Sequence, residues 1–187
     1  MTTKALLLVL LALGLAFGQN LLTNGDFEQD LSVGWVQDTN GYGYWTVARD
    51  TTYQPDPDYE AMDSLYSGSG ICKLSQTVDV PGPALHLSFS ASFGIGAGSS
   101  SCWPVAYVEV GYLDSDGSRL GETRFYYHNS YCTWTATSNL SLIEVTDPAW
   151  HDYELDVADE LSLHLPGVDP GDVSRIEVAL VDTTSGG

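Results

Sequence analysis

The chain has 187 residues, and 25 acidic residues against 6 basic ones give a formal net charge of −19. Such a surface excludes nucleic acid and anionic membranes as partners, because both need clustered Lys and Arg. It suits neutral ligands, cations and an extracellular setting, and three cysteines allow at most one internal disulfide.

Met1–Gly18 places Lys4 before an apolar run from Ala5 to Phe17 and ends in Ala16-Phe17-Gly18, the pattern of a secretory signal peptide cut after Gly18. The run is shorter than the roughly 20 residues needed to span a bilayer, so no membrane partner is expected once the leader is removed. Residues 19–187 suit one domain with a substantial core. No segment reads as an amphipathic helix; strand-like alternation between turn clusters predicts an all-β sandwich.

In chain order, Asn20–Trp35 has a short apolar start, an Asn24-Gly25 turn, the pair Phe27-Glu28 and a Gly34-Trp35 step. Segments 50–60 and 94–101 read as exposed loops. Cys72, Leu74, Val78 and Val80 share one parity, and Leu85, Leu87, Phe89, Ala91 and Phe93 alternate with His86, Ser88, Ser90 and Ser92. Tyr153, Leu155 and Val157 share a parity, as do Ile176, Val178 and Leu180. Pro-Gly and Asp-Gly steps separate these strands.

Asp116-Gly117 predicts a two-residue hairpin turn with positive φ at both positions. The register then pairs Val108 with Phe125, Ala106 with Tyr127 and Val110 with Thr123 on an apolar face. The other face pairs Glu109 with Arg124 and Tyr107 with Tyr126, with Trp103 near Ser130. Cys102 falls opposite Tyr131, so a Cys102–Cys132 disulfide is expected, with Cys72 a buried thiol on its strand's core parity. A bridge from Cys72 to either of the others is the alternative. Asp114-Ser115-Asp116-Gly117 looks like the start of a calcium loop but lacks the third acid, and a hairpin turn explains it.

The stretch NLLTNGDFEQDLSVGW resembles the opening of the galactose-binding-like jelly rolls, in particular carbohydrate-binding modules of the family 4, 9 and 22 type. KLSQTVDVPGPALHLSFSASF, VEVGYLDSDGSRLGET, AWHDYELDV and LPGVDPGDVSRIEVAL continue the resemblance over nearly all of the chain after the leader. It implies a jelly-roll β-sandwich whose first strand pairs beside the last. No strand follows the one around Ile176–Val181, so the closing C-terminal strand is expected to be missing, leaving Asn20–Phe27 with an unpaired edge. The resemblance also implies a structural Ca²⁺ held by oxygen ligands, with Glu28 at the acidic position and Ser67-Gly68 as a carbonyl-donating turn. Trp35 and Trp150 match structural positions of these families.

Sugar rings present C–H faces that pack on aromatic planes while polar side chains satisfy their hydroxyls. The outward face of the hairpin offers Trp103, Tyr107, Glu109, Arg124, Tyr126 and His128, with Tyr44 and Trp45 on an earlier segment and Trp134 beyond. This is the candidate glycan platform. The bland reading is that these aromatics cover the sheet or pack under loops. No nucleophile, metalloprotease or paired-carboxylate pattern organises the four histidines, so no enzyme is expected. Asn139-Leu140-Ser141 fits the glycosylation sequon, a motif short enough to be met by chance. The sequence thus predicts a secreted, non-catalytic carbohydrate-binding-like module. The rival reading is a structural or adhesive sandwich that contacts other domains or cell-surface proteins.

Overall fold

Eight strands carry the fold: β1 (Val36–Asp50), β2 (Glu60–Asp79), β3 (His86–Ala91), β4 (Pro104–Leu113), β5 (Arg119–His128), β6 (Leu140–Glu144), β7 (His151–Asp156) and β8 (Arg175–Ser185). The computed structural model describes residues 20–51, 59–96 and 103–185. The leader, most of the two expected loops, and Cys102 lie outside the described residues. The large sheet has the order β1-β2-β8-β4-β5-β6, all antiparallel except β5–β6, and β3 pairs with β7 in a second layer. The architecture is the expected all-β jelly-roll sandwich.

The predicted parities hold. Leu74, Leu180, Val108 and Phe125 lie in one cross-strand row of the large sheet's inner face, and Ile176, Val178, Val110 and Tyr112 share that face. The β3–β7 layer closes over it, with Phe89 edge-on to Phe125 at 5.1 Å and stacked on Tyr153 at 5.1 Å. Each fully buried apolar side chain of this kind contributes about 1.5–3 kcal/mol. The last strand, β8, is not an edge; it lies between β2 and β4.

The β4–β5 register is as predicted, with Tyr107 opposite Tyr126, Val108 opposite Phe125 and Glu109 opposite Arg124. The tip differs. Asp114 receives the Gly117 amide and also faces Ser118, so the loop has three residues and Gly117 takes the left-handed φ of 85°. The Asp114 carboxylate accepts from the Asp116 and Ser118 amides at 2.9 and 2.8 Å, fixing the turn without an ion. A bulge at Leu120 returns the strands to the predicted register.

The β1–β2 ribbon does not run straight. Asp63 lies against the Cys72 thiol, although nine residues of extended strand span about 30 Å. The strand can only have turned back. The corner is built of glycine: Gly41 faces Gly70, Gly43 faces Gly68, and all four have positive φ. A Cβ on Gly70 would sit 1.9 Å from the Asn40 carbonyl oxygen, and one on Gly68 2.0 Å from that of Tyr42. Thr184 and Thr183 hydroxyls clamp the carbonyls of Gly68 and Gly70 at 2.6 and 3.0 Å. The outer half of the ribbon thereby folds over the inner face of the large sheet, on the same side as β3–β7.

Asn20–Phe27 is not the expected edge strand. It forms turns, and Asn24 and Phe27 have positive φ. The Asn24 side chain receives the Gln29 amide at 2.8 Å and donates to the Gln29 and Asp30 carbonyls, which replaces strand pairing with a local clasp. Gln76 takes both polar groups of Thr23, at 2.7 and 2.8 Å. Trp35 is buried, as its match to a structural position implied, and donates through Nε1 to the Asn24 carbonyl at 3.0 Å. Arg49 donates to the Phe27 carbonyl at 2.7 Å, which ties this segment to the folded half of the ribbon.

A helix, α1 (Val157–His164), was not predicted. Val157 continues the β7 alternation in sequence, but the Asp156 side chain caps the Asp159 amide and starts a helix there. Its Glu160 is buried and accepts from the Thr123 hydroxyl at 2.9 Å, which in turn meets the Tyr112 hydroxyl at 3.0 Å. Asn139 of the sequon donates its amide to the Leu120 and Gly167 carbonyls at 2.7 and 3.1 Å, so it serves as a loop clasp.

The corner yields a stability test. Gly70→Ala adds a backbone clash to left-handed strain and is expected to cost about 3 kcal/mol or more, read as a lowered urea midpoint. Gly96→Ala, where a Cβ meets nothing within 4 Å, is expected to stay within about 0.5 kcal/mol. Equal effects of the two substitutions would refute the corner's role.

Candidate functional site

The outer face of β4–β5 gathers most of the predicted platform. Tyr107 and Tyr126 sit side by side and are buried at 7% and 8% exposure, so they are not the open surface that the pattern suggested. Trp134, from the segment after β5, stacks on Tyr126 at 5.4 Å and meets Tyr107 edge-on at 5.3 Å. His128 stacks on Tyr126 at 4.9 Å, and Trp103 packs against the same cluster. The Arg124 guanidinium lies 4.8 Å from the Tyr107 ring and 4.6 Å from that of Trp134. Trp103, Arg124, His128 and Trp134 are each partly exposed and form the reachable surface.

The charges beside these rings are already paired. Glu109 is buried and meets Arg119 at 3.0 Å, Lys73 at 3.4 Å and Arg124 at 3.8 Å. Glu177 pairs with Lys73 and with Arg119, and Glu122 with Arg119 and Arg124. Three of the six basic residues of the chain stand in this one network. Gly111 makes room for it, because a Cβ there would meet the Arg119 guanidinium at 1.8 Å. Glu109 is therefore a structural anchor for Arg119 and Arg124.

Trp45 is not part of this surface. It belongs to the folded half of the ribbon, whose Leu65 and Asp63 contact Asp182 from the inner side of the sheet. Cys132 is a buried free thiol, so the expected Cys102–Cys132 disulfide is not formed; Cys132 points into the outer cluster with Tyr107 and Tyr126. Cys72 is also a free thiol and fully buried, as expected.

The two calcium positions are kept apart. The Glu28 carboxylate accepts from the Tyr59 amide at 2.8 Å, just before β2 begins. The Gly68 carbonyl, at the glycine corner, accepts from the Thr184 hydroxyl at 2.6 Å. Each of the two positions is thus engaged by a different protein partner. Among the described residues no three His, Cys, Asp or Glu side chains gather as metal ligands. These residues do not fit a shared ion.

Sequence reasoning missed an inner cleft. A cavity of about 640 Å³ lies between the folded half of β2 and strand β3, with Ala106, Val108, Val178 and Leu180 beneath it and Trp150 and Tyr59 on its lining. At its depth Asp63 and Asp182 face each other beside Cys72. Burial raises the Asp63 pKa to about 6, partly opposed by the Cys72 thiol. Burial and then the charge of Asp63 raise that of Asp182 to about 8, against the Leu65 amide that donates to it. Both Asp63 carboxylate oxygens are buried without a well-formed hydrogen bond. The signal for this pair was the glycine pattern, which decides that Asp63 folds onto Asp182.

No family model matches the sequence, and no curated protein matches it. Solved structures do. The enzymatically active domain of bacteriophage CBA120 tailspike protein 4 is similar with a TM-score of 0.53 at 15% identity, over 88% of this chain and 19% of that one. A structure of promiscuous carbohydrate-binding modules of the β-sandwich superfamily gives a TM-score of 0.50 at 15% identity, over 92% of this chain and 58% of that one. The shared feature is the fold. It is a β-sandwich, and this chain spans about a fifth and just over half of those two proteins.

The carboxyl pair sets a pH dependence. Both groups hold protons more tightly in the folded protein than at the ordinary value of 3.8, so their contribution is full below about pH 4 and is lost as pH rises through about 6 and about 8. Melting temperature is expected to fall between pH 5 and pH 9, for a loss on the order of a few kcal/mol. Asp182→Asn should flatten that decline and raise the melting temperature at pH 9. A profile unchanged by the substitution would speak against the pair.

Proposed function

We propose that the chain is a secreted, non-catalytic glycan-binding module of the family 4, 9 and 22 kind. The glycan packs on Trp134 and Trp103, with Arg124 and His128 meeting its hydroxyls and Tyr107 and Tyr126 as the buried support. One observation carries this reading: the continuous layer His128–Tyr126–Trp134–Tyr107, with Arg124 laid across two of its rings. Such a layer is rigid before any ligand arrives, because the ion pairs hold Arg124 in place, and preorganisation lowers the cost of binding. The likeness in fold to carbohydrate-binding modules supports the same reading.

Affinity electrophoresis against a panel of polysaccharides tests it. Trp134→Ala is expected to weaken retention by about 1–3 kcal/mol, the range for a base stacked on an aromatic side chain. Trp45→Ala, on the other side of the sheet, should leave retention unchanged. Retention that is indifferent to Trp134→Ala and Trp103→Ala in variants of normal melting temperature would overturn the placement.

The burial of Tyr107 and Tyr126 and the self-paired charges around them favour a second reading, a structural or adhesive module whose outer aromatic cluster serves only packing. Absence of retention on every polysaccharide would decide for it.

A further inference from the structure

The glycine corner divides the β1–β2 ribbon into two parts that are held differently. On the sheet side, β2 pairs with β8 from Ser69 onward, and Thr183 and Thr184 clamp the Gly70 and Gly68 carbonyls. Beyond the corner, 44–50 and 60–66 pair with each other, and their junction with β8 is made by two carboxyls. The Asp182 carboxyl receives the Leu65 amide, while the Cys72 thiol and the Asp182 amide are directed at the Asp63 carboxyl. Packing adds little. None of residues 44–50 and 60–65 is fully buried, whereas every residue of β4 from Val105 to Leu113 is. Cavities undercut the folded half on both sides, about 640 Å³ toward β3 and about 470 Å³ between Val47, Ala48 and Arg49 and the sheet residues Gln37 and Leu74. An element with so few buried contacts opens more easily than the sheet that carries it.

We infer that residues 44–50 and 60–66 form a flap that lifts from the large sheet, turning at the glycine corner, when Asp63 and Asp182 are both ionised. Asp63 rides on the flap and Asp182 on the fixed strand β8, so their repulsion acts across the line that parts. Gly41, Gly43, Gly68 and Gly70 give that line the backbone freedom of a hinge. The cleft supplies no counter-charge. Its charged lining residues are Asp26 on the opening segment, Glu60 and Asp63 on β2 and Asp182 on β8, with none from β3 or β4 and no Lys, Arg or His. Tyr59, Tyr107 and Cys72, the other titratable groups here, can add only negative charge. Asp63 gives up its proton near pH 6 and Asp182 near pH 8, so the closed flap bears one charge and meets the second only above about pH 8. Lifting brings both carboxylates to water and uncovers Cys72, which is fully buried when the flap is down. Besides the carboxyl junction, opening must break the bonds of Arg49 to Phe27 and of Tyr59 to Glu28, which tie the flap to the opening segment.

Amide hydrogen exchange of the full chain at pH 6 and pH 9, corrected for the intrinsic rate, reads the flap. Protection across 44–50 and 60–66 is expected to fall by about tenfold or more, while β4 and β5 keep theirs. Alkylation of Cys72 by iodoacetamide should accelerate between the same pH values by more than that of Cys132, which is buried on the outer face. Asp182→Asn and Asp63→Asn each leave only one charge at the junction and should hold flap protection at pH 9 within about twofold of its value at pH 6. The inference is overturned if β4 and β5 lose protection together with the flap, which would make the pH effect global unfolding. Flap protection that is equal at the two pH values overturns it too. So does a loss of protection in either Asn variant as large as that of the unsubstituted chain, when the variant melts normally at pH 6.

Discussion

The structure turns on two pairs of glycines facing each other across the β1–β2 ribbon, Gly41 with Gly70 and Gly43 with Gly68. A ribbon of fifteen and twenty residues would otherwise project far past the sheet it belongs to. At this corner each strand passes within a side chain's reach of the other's carbonyls, and only hydrogen fits there. Everything on the inner side follows. The fold-back lays residues 60–66 over the sheet, sets Asp63 against Asp182, and gives the opening segment a surface to pin through Arg49 and Tyr59. Without the corner the inner face near Cys72 and Leu74 would be open to water.

The second organising term is electrostatic and divides the sheet's two faces. The outer face collects Lys73, Arg119 and Arg124 against Glu109, Glu122 and Glu177, a set that cancels its own charge. Pairing of this kind on a half-buried surface contributes more to geometry than to stability. Here it keeps the Arg124 plane on the rings of Tyr107 and Trp134. The inner cleft receives carboxylates with no cation among its lining residues. One side of the sheet is therefore finished and stiff, and the other carries unspent charge.

What could be read from the sequence was local and periodic. The β4–β5 register was legible because both faces of that hairpin separate polar from apolar residues, which tolerates no slip of one position. The loop is one residue longer than an Asp-Gly turn predicts, and the bulge at Leu120 offsets it, so the register is unchanged. What failed depended on contacts distant in sequence. Tyr107 and Tyr126 read as exposed because nothing in the hairpin says that Trp134 returns to cover them. Cys102 and Cys132 looked adjacent in register, yet Cys132 turns inward to pack on Tyr126. Asn20–Phe27 carried the apolar start of a strand, but Asn24 supplies its own hydrogen bonds to the chain that follows and so favours a turn. Glycines 41, 43, 68 and 70 argue against strand by propensity, although as a facing set they are what a folded ribbon requires.

The buried acids bear on why the inner cleft stays open. Burial of an ionised carboxylate without a partner is costly, and an apolar pair at Asp63 and Asp182 would close the ribbon more firmly on the sheet. An open strand edge lined with apolar side chains would, however, be a template for pairing with other copies of the same chain. Inward charge at such an edge is a recognised block to that pairing. Asp63 and Asp182 thus trade stability for selectivity once both are ionised, because a copy bearing the same carboxylates is then repelled. The same two residues that weaken the closed sandwich as pH rises are those whose charge, once present, opposes pairing with a second copy at this cleft.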